Sequence, residues 1–204
     1  MGYPVAGSVA GMSVTVVIPH ILPRADKLRR ALASVKAQTW LPDEVIIMTA
    51  RDGECAASVR NRALDVVNTQ WIAWLDDDDE LLPQHLEILL QTAQSETWDV
   101  VYTACCVLDP VGRQIPTREE WGRPGQPFDP DLLEKMSYIP ITSLCRTHIA
   151  RHARFDTTEH YEDWGFYRRM RALGAHFTHT NQITWVWHHD GGNTSGKPGK
   201  GDLA

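Results

Sequence analysis

Apolar residues follow two alternating patterns along the first half of the chain. Short, mainly apolar runs predict strands at four places: residues 14–18, 44–48, 71–75 and 99–107. The first run is nearly all β-branched and does not alternate with polar residues, which is typical of a strand covered on both faces in a parallel sheet. Between the runs, apolar residues recur at helical spacing, as at Leu28, Ala31 and Val35, and predict helices with one buried face. We therefore predict an α/β fold with a mostly parallel central sheet flanked by helices.

Two residues mark where the predicted helices begin. Asp26 suits the N-terminal cap of the first helix, because its side-chain oxygen can accept from a free backbone N–H. Pro83 suits the first position of the third helix, where its missing N–H costs nothing.

The second half of the chain is less regular. Residues 108–131 are rich in Pro and Gly and carry Trp121 and Phe128 as isolated aromatics, so we expect a long functional loop that can cover a ligand crevice. Three further elements follow: a short apolar run at 139–144, a helix at 162–173 and an alternating strand at 183–187. We predict a single domain over 13–190, between a disordered leader at 1–12 and a flexible C-terminal tail at 191–204.

Length, charge and cysteine content exclude several classes of protein. The 204 residues suit one domain, and the net charge of −6 disfavours a protein that coats nucleic acid. No apolar run approaches the roughly 20 residues that span a bilayer, and the first residues lack the basic region of a secretory signal. The four cysteines have neither metal-site nor disulfide spacing. We therefore expect a cytoplasmic protein.

Four consecutive aspartates, 76–79, follow the third predicted strand. Ligands of α/β folds bind beyond the carboxyl ends of the strands, so this run lies where a ligand site is expected. Adjacent carboxylates repel one another and stay ionised when a cation or several donors compensate, which points to a divalent metal. Alternatively, the run is an acidic cap on the following helix. An EF-hand is excluded because Leu81 stands where the calcium loop requires Gly.

Several segments, in order along the chain, resemble the family 2 glycosyltransferases. The first group is 14–19 (VTVVIP), 28–39 (LRRALASVKAQT), 44–47 (EVII), 59–63 (VRNRA) and 74–79 (WLDDDD). Residues 143–146 resemble the acceptor-side segment of the family, and 161–170 (YEDWGFYRRM) resembles the Glu-Asp helix that supplies the catalytic base. Residues 187–189 resemble a C-terminal segment that donates a metal-ligating histidine in many members. The resemblance implies a GT-A fold, a nucleotide-sugar donor and inversion at the anomeric carbon.

The resemblance also implies a metal site. The Asp-x-Asp motif of the family corresponds to Asp76 and Asp78, with Asp78 as the direct ligand. His189, or its neighbour His188, joins the carboxylates, and because adjacent strand residues face opposite sides we expect only one of them to point at the ion. A histidine beside carboxylates favours Mn²⁺, with Mg²⁺ as the alternative. Such an ion stabilises the diphosphate as it leaves the sugar.

Donor binding is implied for residues that follow the first three strands and for one residue of the second predicted helix. These residues are Pro19, Asp52, Arg60, Asp76 and Asp77. The family usually has an Asp-Asp-Gly-Ser type turn after the second strand, whereas this chain has Arg51-Asp52-Gly53. A UDP-sugar is therefore the default donor, and GDP or TDP stays open.

Catalysis is implied for Asp163 and Glu162. Asp163 corresponds to the general base, which takes the proton of the acceptor hydroxyl so that the oxygen can attack the anomeric carbon in line. Both carboxylates also suit the first turn of a helix simply as partners of its dipole. The resemblance divides the domain into a nucleotide-sugar-binding half at 13–107 and an acceptor and catalytic half at 108–190.

Two other classes of function remain open at this point. A nucleotidyltransferase that makes sugar nucleotides has the same kind of acidic metal site, but usually carries a Gly-rich basic loop where this chain has only residues 20–24. A non-catalytic sugar- or nucleotide-binding module would not need Asp78, Asp163 and His189 together. The acceptor also stays open: a hydroxyl-bearing glycan, a protein, a lipid-linked sugar or a modified DNA base.

Overall fold

The computed structural model describes residues 11–95, 97–116 and 125–189. Within these residues, eight strands form one sheet with helices on both faces. The strands are β1 (Val14–His20), β2 (Glu44–Thr49), β3 (Trp71–Trp74), β4 (Glu80–Leu81), β5 (Val100–Leu108), β6 (Gln114–Ile115), β7 (Ser143–Arg146) and β8 (Phe177–His188). The helices are α1 (Ala25–Lys36), α2 (Ala56–Val66), α3 (His85–Ala93), α4 (Pro130–Leu133), α5 (Thr147–Ala153) and α6 (Glu162–Ala172). A 3₁₀ turn, Leu22–Arg24, precedes α1.

The sheet is mixed, and its order is β2-β1-β3-β7-β5-β8-β4, with β6 paired to β5. The first three strands are parallel to one another, and β5 is parallel to β8. β7 enters antiparallel between β3 and β5, and β4 pairs antiparallel with the end of β8. The predicted α/β fold class is confirmed, and the parallel strands β2, β1 and β3 form the half that the three strand-then-helix cycles predict.

The hydrophobic core consists of two layers, one on each face of the sheet. Successive residues of β1 alternate between the layers: Val17 packs with α2, α5 and α6, while Val16 and Ile18 pack with α1 and α3. All five residues from Val14 to Ile18 are fully buried, as the uninterrupted apolar pattern predicts. The sheet is therefore covered on both sides at β1.

β2 differs from β1 because it lies at the edge of the sheet. Val45 and Ile47 are 40% and 42% exposed, although they belong to an equally apolar run. An apolar run predicts a strand but does not say how many strands pair with it. The exposure of β2 therefore follows from its place in the strand order and not from its local sequence.

The starts of two helices differ slightly from the predictions. α1 begins at Ala25, so Asp26 lies inside the first turn and pairs with Arg29 instead of capping the helix. α3 begins at His85, two residues after Pro83. α1 thus begins two residues before the position that an Asp26 cap predicts, and α3 begins two residues after the predicted one.

The described residues of the predicted loop, 108–116 and 125–131, include segments that pack against the sheet. β6 pairs with the end of β5, and Phe128 stacks on Phe177 with ring centroids 4.8 Å apart, so Phe128 belongs to the core. Trp121, the leader up to residue 10 and the tail at 191–204 lie outside the described residues. Among the helices of the described part, none has the length and apolar character that crossing a membrane requires.

Candidate active site

The aspartate run forms a tight turn at the carboxyl edge of the sheet. β3 ends at Trp74, and the chain turns through Asp76 to Asp79, where the Asp79 N–H donates to the Asp76 carbonyl oxygen at 3.2 Å. β4 then pairs with β8, which brings the end of β8 beside the turn. The run therefore lies beside the ends of β1 and β8, which Asp77 and Asp79 contact.

Three carboxylates of this run converge. Oxygens of Asp76, Asp78 and Asp79 lie within 4.8 Å of one another, and Asp78 and Asp79 are buried. Carboxylate oxygens are the ligands that Mg²⁺ and Mn²⁺ prefer, so the residues present fit a hard divalent cation. Asp79 was not among the predicted ligands, although its place in the same run was a visible signal.

Burial and mutual repulsion raise the pKa values of two of these carboxyls. The pKa of Asp78 rises to about 6, first because of burial and then because of Asp76. The pKa of Asp79 rises well above its ordinary value for the same reasons, although one of its oxygens accepts a hydrogen bond from the His188 N–H at 3.0 Å. A group of carboxyls that resists ionisation in the folded chain gains most from a cation bound among them.

Asp77 points away from this group. Its Oδ2 faces the end of β1, where it lies 2.8 Å from Nδ1 of His20 and accepts from the N–H of Ile21 at 3.2 Å. Its Oδ1 accepts from Arg24 at 3.1 Å. Asp77, predicted to contact the donor, thus fixes the connection between β1 and α1.

Three basic residues of the α1 region face the aspartate run. Nη1 of Arg24 donates to Asp78 Oδ2 at 2.9 Å, and Nζ of Lys27 lies 3.8 Å from the same oxygen. Arg30 donates to the Asp78 carbonyl oxygen at 2.5 Å and pairs with Glu80 at 3.1 Å. This basic face was not predicted, although the position of a basic residue at 24, 27 and 30 was a signal for it.

Arg60 joins the aspartate run to α6. Its side chain is buried, and its two amino groups donate to Asp76 at 2.8 Å and to Glu162 at 2.6 Å. Its guanidinium also lies over the ring of Phe155, 5.5 Å from the centroid. Burial lowers the pKa of Arg60, but the facing carboxylates Asp76, Glu162 and Asp163 outweigh it and raise the pKa overall. Arg60, predicted to contact the donor, is therefore occupied by two carboxylates from opposite halves of the domain.

Asp163 lies in the first turn of α6, beside Glu162. Its Oδ1 accepts a hydrogen bond from the Trp164 N–H at 2.8 Å. Burial and repulsion from Glu162 raise the pKa of Asp163 to about 6, against the opposing effect of Arg60. A carboxyl with a pKa in this range is ionised at neutral pH and is a stronger base than an exposed aspartate.

Neither predicted histidine lies in the group of converging carboxylates within the described residues. Nε2 of His188 lies 2.6 Å from Oε1 of Glu80, and burial is the first cause of the lowered pKa of this ring. The ring of His189 packs against Trp187, with centroids 5.2 Å apart, and the backbone N–H of His189 donates to the Leu108 carbonyl oxygen. The structure thus places both rings at the end of β8, beside the site rather than among its carboxylates.

The two remaining predicted donor residues lie at the ends of β1 and β2. Pro19 pairs in register with Met48, and Asp52 is exposed in the turn that follows β2. In this turn the carboxylate of Glu54 is held by hydrogen bonds, and Glu54 was not among the predicted site residues. It accepts from the Arg51 N–H at 2.9 Å and from Arg62 at 2.6 Å.

The chain is similar to known proteins in sequence and in fold. The sequence model of the family described as Glycosyl transferase family 2 matches residues 51–177. No curated protein matches the chain. The structure resembles that of S. aureus TarS 1–349 in complex with UDP-GlcNAc, with a TM-score of 0.69 and 14% identity over 91% of this chain and 61% of that one. It also resembles TarS 1–349 in complex with UDP, with a TM-score of 0.62 and 14% identity over 87% of this chain and 60% of that one.

The likeness to TarS concerns the fold, which confirms the predicted GT-A type. The chain spans less than two thirds of these TarS structures, and 37% of a longer TarS structure that it also matches. The family match, by contrast, covers more than half of this chain. The chain therefore belongs to glycosyl transferase family 2.

Proposed function

We propose that the chain is an inverting glycosyltransferase that moves a sugar from a nucleoside-diphosphate sugar, by default a UDP-sugar, to a hydroxyl acceptor. The observation that carries this proposal is the double ion pair of Arg60. Through it, the converging carboxylates after β3 and the acidic first turn of α6 lie side by side. A sugar transfer needs both groups together, one for the departing diphosphate and one for the incoming hydroxyl.

The carboxylates of Asp76, Asp78 and Asp79 are the residues that would hold a divalent cation. Mn²⁺ or Mg²⁺ bound there would supply positive charge to the diphosphate as it leaves the sugar. The raised pKa values of Asp78 and Asp79 support this assignment, because they indicate that the folded chain leaves these carboxyls under-compensated. His189 and His188 remain proposed ligands that would need to turn toward the carboxylates.

Asp163 is the proposed general base. An ionised carboxylate at this position takes the proton of the acceptor hydroxyl, and the oxygen then attacks the anomeric carbon on the face opposite the diphosphate. Attack from that face inverts the anomeric centre. Glu162 keeps Arg60 in place next to the base and, through its own charge, raises the pKa of Asp163.

The donor proposal is supported by the neighbouring fold. TarS 1–349 has been crystallised in complex with UDP-GlcNAc, and this chain shares its fold. The ends of β1 and β2, with Pro19 and Asp52, and Asp76 of the aspartate turn are the proposed contacts of the nucleotide, and Asp77 would support them by holding the β1–α1 connection. The proposed acceptor is a hydroxyl-bearing molecule: a glycan, a protein, a lipid-linked sugar or a modified DNA base.

The proposal is tested by identifying the products formed from a panel of UDP-, GDP- and TDP-sugars with and without Mn²⁺. We expect Mn²⁺-dependent release of a nucleoside diphosphate from one donor, faster when a suitable acceptor is present. Consumption of a nucleoside triphosphate with release of pyrophosphate would indicate a nucleotidyltransferase instead. Binding of a nucleotide sugar without turnover would indicate a binding module.

A further inference from the structure

The guanidinium of Arg24 occupies a position between two carboxylates of the aspartate run. Its Nη1 donates to Asp78 Oδ2 at 2.9 Å and to Asp77 Oδ1 at 3.1 Å. The Arg24 side chain is 23% exposed, whereas the side chains of Asp78 and Asp77 are 10% and 4% exposed. Arg24 therefore reaches from the start of α1 into the buried side of the site and retains contact with solvent.

The two partners of Arg24 differ in what else they can bind. Asp77 points toward the β1–α1 connection, where His20 and the Ile21 N–H hold its other oxygen. Asp78 belongs to the group of converging carboxylates that suits a divalent cation. A cation held by Asp78 would lie next to the guanidinium, and the two positive charges would repel each other. Arg24 can keep its bond to Asp77 in that state, and its bond to Asp78 is the one that this repulsion weakens.

We propose that Arg24 is a mobile counter-cation that binds the diphosphate of the donor. Without a divalent cation it compensates the charge of Asp78. When a cation and a nucleoside diphosphate bind, it leaves Asp78, stays attached to Asp77 and donates to the diphosphate oxygens. This inference rests on the proposed function. The planar guanidinium with its several N–H donors matches phosphate oxygens, and the diphosphate is the anion that would stand beside a cation on Asp78.

A residue that exchanges partners in this way affects the two ligands in opposite directions. A cation that binds alone must displace Arg24 from Asp78, so Arg24 weakens the binding of the cation. A nucleoside diphosphate that binds with the cation gains the freed guanidinium, so Arg24 strengthens its binding. Arg24 therefore couples the two binding events, and removing its charge should reduce that coupling.

The test measures the binding of Mn²⁺ alone and of UDP at saturating Mn²⁺, by calorimetry and by the electron paramagnetic resonance signal of free Mn²⁺. In Arg24→Gln we expect Mn²⁺ alone to bind about fivefold more tightly and UDP to bind about tenfold more weakly. Arg29→Gln is the matched control, because Arg29 lies in α1 a few positions after Arg24, has a side chain that is 77% exposed and pairs with Asp26. We expect this control to stay within about twofold of the wild type for both ligands.

A second variant keeps the test decisive if Arg24→Gln does not fold, as judged by circular dichroism. Arg24→Lys retains the positive charge but not the planar set of donors, so UDP should bind more weakly while Mn²⁺ binds as in the wild type. Parallel weakening of both ligands, or no change in either, would overturn the role of Arg24 and leave the proposed function intact. A wild-type chain that binds no nucleoside diphosphate in the presence of Mn²⁺ would overturn both.

Discussion

Replacing Asp78 by asparagine should stabilise the chain in the absence of metal at neutral pH. The pKa of Asp78 rises to about 6 from an ordinary value of 3.8, because burial and Asp76 outweigh the attraction of Arg24. At 1.36 kcal/mol per pKa unit, the ionised carboxylate costs the folded state about 3 kcal/mol relative to the unfolded chain. Asparagine has the same shape without the charge, and the shifted pKa already includes the attraction of Arg24 that the variant loses. We therefore expect a net gain of up to about 3 kcal/mol in the free energy of unfolding.

The gain should depend on pH in a defined direction. Because the pKa of Asp78 is higher in the folded chain than in the unfolded chain, the folded wild type loses stability as pH rises from about 4 to about 6. The Asn variant has no proton to lose at this position. The difference between variant and wild type should therefore be complete at about pH 7.5 and should shrink toward zero at about pH 4.

The assay is urea unfolding followed by tryptophan fluorescence, with a chelator present, at both pH values. Asp131→Asn, which changes an exposed carboxylate of α4, is the matched control and should leave stability unchanged. Addition of Mn²⁺ should raise the unfolding midpoint of the wild type and have little effect on Asp78→Asn. A variant that is less stable than the wild type at about pH 7.5, or equally stabilised at both pH values, would show that the charge of Asp78 does not destabilise the folded chain.

Three further predictions concern α6 and its link to the aspartate run. Asp163→Asn should lower the rate of sugar transfer by about 100-fold or more and leave UDP affinity unchanged, as measured by product release and calorimetry. In the wild type at saturating Mn²⁺ and donor, the transfer rate should rise about tenfold between pH 5 and pH 7, because the pKa of Asp163 is about 6 and its ionised form is the base. Arg60→Met should lower the free energy of unfolding by about 3 kcal/mol in urea titrations, because it leaves Asp76 and Glu162 uncompensated.

Each of these predictions has an outcome that contradicts it. Loss of UDP affinity in Asp163→Asn would argue against a role limited to proton transfer. A transfer rate that is flat across pH 6, or that falls as pH rises, would exclude an aspartate with this pKa as the base. A fully stable Arg60→Met chain would show that the double ion pair does not hold α6 to the aspartate run.

Local patterns in the sequence were sufficient to predict the parallel half of the fold. β1, β2 and β3 lie within one or two residues of the predicted runs, because an apolar run needs only its own residues to define a strand. The buried apolar face of α1 likewise follows from helical spacing, and its residues Ala31 and Val35 are buried as predicted. The position of the aspartate run at the carboxyl edge follows from the same strand-then-helix order.

Contacts between distant segments were not predictable from these patterns. The partners Arg60 and Glu162 are separated by 102 positions, and only the packing of α2 beside α6 brings them together. The antiparallel entry of β7 between β3 and β5 leaves no local signal, since its apolar residues suit either direction. The pairing of His188 with Glu80 depends in the same way on the register of β4 and β8.

The proposed function requires a single site in which a cation on Asp78 holds the diphosphate and Asp163 activates the acceptor. The most direct measurement is a crystal structure of the wild-type chain soaked with Mn²⁺ and the donor that the product assay identifies. We expect an anomalous peak for a Mn²⁺ ion that is bound by Asp78 and the diphosphate. We also expect the Asp163 carboxylate to face the anomeric carbon on the side opposite the leaving group. A diphosphate bound without any ion at Asp78, or an Asp163 carboxylate turned away from the sugar, would contradict it.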